Sequence, residues 1–229
     1  INIIIINFAQ NVSHPIAPQI TKSYAAGDKD RSNYLLVLST KLTFLTMFLV
    51  SSPFLVGTEW ILQLWLGQVP DYAAMFTILV IVDALIDSLN SGIKNIIFAS
   101  GRIKMFQIAS STLKMCAIVA AFIVLKIGAP AYSLLYSYIF FTVLVFFANQ
   151  WVLNKTLNYD NAYLWKKSYI PSFLVVGLFC PCFFLKLLIT QFVAIVLSIL
   201  YLCILILLVG LTKQERNYLY SIVSKKITK

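Results

Sequence analysis

Four residues inside one apolar run carry chemistry that hydrocarbon tolerates poorly. The run, residues 75–100, reads MFTILVIVDALIDSLNSGIKNIIFAS and contains Asp83, Asp87, Asn90 and Lys94. It is long enough to cross a bilayer, for which about 20 helical residues suffice. The four stand at i, i+4, i+7 and i+11, so at about 100° per residue they lie at about 0°, +40°, −20° and +20°, one narrow stripe on one helix face. Charges at such depth are costly, and they face a bundle interior or a wet cavity rather than lipid. Two roles are open to the stripe: interhelical hydrogen bonding, or the lining of a transport path. A second run, residues 1–24, repeats the spacing with Asn7, Asn11, His14 and Pro18. His14 is followed by Pro15, and each proline removes a backbone donor and bends a helix. Bent helices with polar faces line transporter cavities.

Two more lysines lie within apolar runs. Lys114, beside Ser110, Ser111 and Thr112, is nine residues into its run, or about 13–14 Å from the near face, close to mid-membrane. That depth requires water or a partner. Asp83 falls at about the same depth on the preceding run, and the two runs are joined by the short turn 101–104. Short links join antiparallel neighbours, so Lys114 is expected to pair with Asp83, or with Asp87 one turn away, directly or through one water. Lys41 lies nearer the end of its run and is open to either snorkelling or cavity lining.

These residues must be positioned by a bundle of membrane helices. Of the 229 residues, 60% are hydrophobic and 11% charged, against about 25% charge in soluble domains. The runs are too long and too uniformly apolar for barrel strands. The expected fold is therefore all-α, a polytopic bundle of about seven transmembrane helices at about residues 1–24, 34–56, 72–100, 105–127, 129–153, 170–188 and 190–211. The segment 57–72, with Trp60 and Trp65, is expected as a short amphipathic piece on the outer surface. Trp151 and Trp165 are expected at the inner interface.

The net charge of +10 reads as loop asymmetry, not as nucleic-acid binding. Of the 18 lysines and arginines, thirteen fall on the side of the loop after the first span, Lys41, Lys94 and Lys114 lie within spans, and the other side holds only Lys126 and Lys186. The positive-inside rule makes the richer side, and the C-terminus, cytoplasmic. Residues 1–153 are expected as a transmembrane lobe of five spans, 154–169 as a cytoplasmic loop, 170–211 as two additional spans and 212–229 as a basic tail, either an interfacial helix on anionic lipid or solvated. The chain opens at Ile1, already within an apolar run, and is expected to be the C-terminal part of a longer protein. There is one histidine, no P-loop and no GxGxxG motif, and the cysteines, including Cys180-Pro181-Cys182, lack metal or redox spacing. No enzymatic activity, metal or cofactor is expected.

Several stretches resemble the multidrug/oligosaccharidyl-lipid/polysaccharide exporter superfamily, and above all its Wzx-type polysaccharide (O-antigen) flippases. The stretch Pro18-Gln-Ile-Thr-Lys-Ser-Tyr-Ala-Ala-Gly-Asp28 is similar to the segment ending in "AAGD" that leaves the family's eighth helix. Pro53, then Ile61-Leu-Gln-Leu-Trp-Leu-Gly67 and Tyr72, resembles the family's "lWLG…y" outer loop. Ala99-Ser-Gly-Arg102 with Lys104 resembles the turn into its eleventh helix. Ile127-Gly-Ala-Pro-Ala131 stands at its "G..G.A" turn but lacks the second glycine. The resemblance covers roughly residues 9–150. It implies a MATE-like C-terminal lobe plus two extra helices, working with an N-terminal lobe of the same protein around a cavity open to alternate sides. The implied cargo is a lipid-pyrophosphate-linked oligosaccharide, flipped across the bacterial cytoplasmic membrane for O-antigen, capsule or exopolysaccharide synthesis and coupled to H+ or Na+. On that basis Lys94, Lys114 and Lys41, with Asn7, Asn11, His14 and Asn90, are expected to line the substrate cavity, and Asp83 and Asp87 to bind the coupling ion. The alternatives are a drug/cation antiporter of the same superfamily, or a non-transporting scaffold subunit of an envelope polysaccharide system.

Overall fold

The computed structural model describes Asn7, Asn11 and residues 13–185, 189–213, 215 and 216. These are helical, with no strand among them. The helices are α1 (Ala17–Ala25), α2 (Lys29–Leu66), α3 (Ala73–Ser88), α4 (Ser91–Ser100), α5 (Ile103–Lys126) and α6 (Ser133–Leu157), then α7 (Asn161–Phe184) and α8 (Gln191–Gly210). Five are long and apolar enough to cross a membrane, six if α3 and α4 count as one bent span. The chain is a multi-pass membrane protein. Ten of the 24 residues of the first expected span lie outside the described residues, and its described end forms α1. The basic tail beyond residue 216, expected as an interfacial helix or a solvated segment, also lies outside them.

The second expected span is the axle of the bundle. α2 packs against α1, α3, α4, α7 and α8, and 78% of its most apolar window is buried, against 11% for α5. Apolar area alone does not drive helices together in lipid, where small residues permit close backbone approach instead. The buried face of α2 accordingly carries Ser39, Ser51, Ser52 and Gly57. A Cβ on Gly57 would stand 2.5 Å from Ile195 Cδ1 of α8. One on Gly92 of α4 would land on the Thr40 hydroxyl and the Leu36 carbonyl of α2.

α2 also runs farther than its apolar pattern suggests. It continues through Trp60 to Leu66, so the expected surface segment 57–72 is helical over its first ten residues. The bend is local: Gly57 is non-helical at φ −125°, ψ 34°, four residues after Pro53. Pro53 has no N–H to offer the Leu49 carbonyl, and Ser52 Oγ donates to that carbonyl at 2.8 Å. Ser51 Oγ donates to Met47 O at 2.7 Å, and Thr58 Oγ1 donates to Phe54 O. Hydroxyls thus satisfy the backbone around the kink where no water is at hand.

The expected third span, 72–100, is not one straight helix. α3 and α4 meet at 42°, through i→i−3 bonds from Leu89 N to Ile86 O (3.2 Å) and Asn90 N to Asp87 O (3.0 Å). Ser88 Oγ caps the Leu85 carbonyl at 2.6 Å. The expected loop 154–169 is also mostly helical. α6 runs to Leu157, Asn158 turns the chain at φ 51°, and the Asp160 carboxylate caps α7 by accepting from Ala162 N at 2.8 Å. Trp165 lies in a π turn, Trp165–Tyr169, which ends just before Pro171, whose ring leaves the Lys167 carbonyl without its helical donor. Trp151 is within α6, short of its end.

Lys41 does not snorkel. Its side chain is 1% exposed and Nζ lies 2.6 Å from Glu215 Oε2. The position after α8 is held by Thr212 and Glu215, which bond reciprocally: Thr212 N donates to Glu215 Oε2 at 2.7 Å and Glu215 N to Thr212 Oγ1 at 3.4 Å. This is a capping box whose glutamate also neutralises Lys41. The sequence signal, Thr212-Lys-Gln-Glu215, was legible as a cap, but its link to a lysine 174 residues away was not.

Two sets of substitutions test this packing. Lys41→Met strands Glu215 in a buried site and should destabilise the protein by about 3–5 kcal/mol, while Lys41→Met with Glu215→Leu should restore most of the loss. Reversible unfolding in mixed micelles measures both, and an equal loss in the double variant would rule out the stranded-charge explanation. Gly92→Ala should cost about 1–3 kcal/mol by forcing α4 off α2. A control Gly177→Ala, where a Cβ meets nothing within 4 Å, should stay much closer to the parent in the same unfolding measurement.

Candidate functional site

A groove of about 730 Å³ lies among α1, α2, α3, α4, α5 and α6. Its charged lining is Asp83 and Asp87 from α3, Lys94 from α4 and Lys114 from α5. Asp83 and Asp87 are one turn apart on α3, so both point the same way. α6 packs against both α3 and α5 and sets how far Lys114 stands from the aspartates.

Asp87 is the shared partner. Lys94 Nζ donates to its Oδ2 at 2.7 Å, and Lys114 Nζ stands 3.9 Å from its Oδ1. The two contacts differ in kind. Lys94–Asp87 is a charge-assisted hydrogen bond with both side chains 34% exposed. Lys114–Asp87 is at the outer limit of an ion pair, and Lys114 is 58% exposed. The expected Lys114 pair therefore forms with Asp87 and not with Asp83. Asp83 instead accepts from Thr142 Oγ1 of α6 at 2.6 Å. Thr142 was not singled out from the sequence, although it is a hydroxyl in the aromatic run 138–147.

The other expected lining residues separate. His14 lines the groove. Asn7 and Asn11 are exposed and are not among the described lining residues. Asn90 leaves the stripe: it sits at the break between α3 and α4, is 0% exposed, and does not line the groove. A straight-helix projection fails there because the tightened turn and the 42° bend rotate α4 relative to α3. Lys41 is removed altogether by its pairing with Glu215. Among the described residues the groove thus carries two lysines against two aspartates, without the cationic excess that a third lysine would have supplied.

Beside the charges lies a small hydrogen-bonded cluster that sequence inspection missed. Asn95 Nδ2 donates to the hydroxyls of Ser13 and Ser39 at 3.0 Å each, and Ser91 Oγ donates to Ser39 O at 3.3 Å. It ties the segment before α1 to α2 and α4 at the groove wall. Asn95 adjoins Lys94 in an apolar run, which was the available signal. The remaining lining is largely apolar and aromatic, with Met47, Phe98, Met115, Ile118, Tyr138 and Phe141. No group of acidic, histidine and cysteine side chains among the described residues has the makings of a metal site.

The arrangement provides an amphipathic groove inside a membrane bundle, with a carboxylate shared by two ammonium groups and a second carboxylate held by a hydroxyl. Such a groove suits an amphipathic molecule with a charged group, and its ion pairs must open for that group to bind. Comparison with known protein families, curated proteins and solved structures gives no match for this chain.

Proposed function

We propose that the chain is the cavity-bearing part of a membrane transporter for an amphipathic anion, best described as a lipid-pyrophosphate-linked oligosaccharide carried across the bacterial cytoplasmic membrane. The observation that supports this most is the meeting of Lys94 and Lys114 at Asp87 in a groove with apolar walls. A diphosphate is bound by converging cations, and the apolar wall suits the lipid part. Membrane-buried ion pairs in a cavity mark transport paths more often than they serve stability alone.

Cargo phosphate and the Asp87 carboxylate compete for the same two lysines. Anion binding therefore requires Asp87 to turn away or to take up a proton. That competition links cargo occupancy to protonation without any further group, and it makes H+ the favoured coupling ion. Asp83, held by Thr142, tunes the site by charge alone.

A second reading, export of organic cations, is favoured by Asp83. Among the described residues it has no lysine within ion-pair distance and faces a groove lined by Phe141 and Tyr138, an arrangement that attracts a cation.

Binding of a fluorescent polyprenyl diphosphate to the full-length protein in nanodiscs separates the two. In the anion reading Asp87→Asn frees both lysines and should tighten binding several-fold while flattening its pH dependence, and Lys114→Ala should weaken it about tenfold. Unchanged affinity in both variants would remove the lysines from the cargo site. If instead a lipophilic cation binds and Asp83→Asn abolishes that binding, the second reading holds.

A further inference from the structure

A second cavity lies at the other level of the molecule. It holds about 370 Å³ and sits where the turns between α1 and α2, α4 and α5, and α6 and α7 converge. Among the described residues, most of the lysines and arginines outside the membrane-spanning parts lie in or next to the turns at this end. Among the described residues two cations, Lys29 and Arg102, line it, and its single lining carboxylate, Asp28, is engaged in capping α2 by accepting from Arg31 N at 3.0 Å.

Its polar wall is unfinished. Ser32 is 1% exposed and its hydroxyl lies beside the Tyr159 phenol, while Thr156 Oγ1 has no hydrogen-bond partner among the described residues. Both residues line this cavity. A buried hydroxyl left unsatisfied costs about 1–3 kcal/mol, so the Thr156 hydroxyl in this wall calls for an occupant that accepts a hydrogen bond. Tyr159 also lines the space. Burial holds its phenol above the ordinary range, only partly offset by the nearby Ser32 hydroxyl, so it stays a donor. Arg102 is kept at the mouth by one guanidinium N–H, which donates to Thr156 O at 3.0 Å. Among the described residues no other side-chain bond of Arg102 is found, so its remaining donors can serve a ligand.

Two cations and three hydroxyls around one space are the donor set of a phosphate ester. Basic pockets between helices at the cytoplasmic side of membrane proteins take anionic headgroups. We infer that the cavity formed by Lys29, Arg102, Ser32, Thr156 and Tyr159 is a binding site for the phosphate of an anionic phospholipid headgroup. The occupant bridges the α1–α2 turn to the α4–α5 turn. The helices that these turns join wall the larger groove, so the lipid braces α1, which follows His14, and α4, which carries Lys94. The inference does not depend on what the groove transports.

Native mass spectrometry of the full-length protein in a neutral detergent, titrated with dioleoylphosphatidylglycerol and dioleoylphosphatidylcholine, tests it. The anionic lipid should bind at least about tenfold more tightly than the zwitterionic one. Lys29→Gln with Arg102→Gln should cost about tenfold or more in that affinity. Lys29→Gln alone leaves the Arg102–Thr156 tether intact and should cost about fivefold, which guards against misfolding of the double variant. Ser32→Ala with Thr156→Ala, which alters no charge, should cost about threefold or more. Lys166→Gln with Lys167→Gln, basic residues at the same end but outside the cavity, should leave affinity unchanged. Equal losses from the Lys166/Lys167 variant would reduce the effect to diffuse surface charge and overturn the site, as would wild-type affinity in Lys29→Gln. Displacement of the lipid by millimolar inorganic phosphate would show a seat for free phosphate and overturn the lipid assignment.

Discussion

A charge inside hydrocarbon must meet an opposite charge or water, and this one constraint arranges much of the bundle. Lys41 on the central helix is satisfied by Glu215, from beyond the last described span. Closing that pair requires α8 to lie along α2 so that the chain after it returns to Lys41. Lys94 and Lys114 meet at one carboxylate, Asp87, beside the break between α3 and α4. The two solutions differ in solvent access. The Lys41–Glu215 pair is sealed and acts as a clamp, since removing either partner strands the other in a low-dielectric site. The Asp87 cluster opens onto a groove, where either lysine can exchange its partner.

Sealing and opening also divide the helices. α2 is buried on nearly every side, and its serines and glycines let α4 and α8 approach closely. α5 packs chiefly on α6 and leaves Met115, Ile118, Val119 and Phe122 exposed. The groove lies between the fixed part and this more peripheral hairpin. Two departures from regular helix have their hydrogen bonds repaired locally, by Ser52 beside Pro53 and by Ser88 before the α3–α4 break, and Tyr169 of α7 donates its hydroxyl to the Leu89 carbonyl at 3.4 Å. The bend between α3 and α4 sits next to the shared carboxylate.

Much about this protein was dictated by residue types and their order. Long apolar runs with sparse charge specify membrane helices, because only internally hydrogen-bonded elements cross a bilayer. Asp83, Asp87 and Lys94 share a groove as their spacing implied, and Lys114 joins them from α5 within ion-pair reach of Asp87. Other features were decided only in three dimensions. Whether Lys41 faces a cavity or a partner depended on Glu215, whose distance along the chain no periodicity encodes. Asn90 left its stripe because two i→i−3 bonds tighten and bend the helix under it. The donor set around Lys29, Arg102, Ser32 and Thr156 is assembled from three turns, each ordinary in sequence. Periodicity describes one helix at a time, whereas partners across helices are chosen by the packing that brings their backbones together.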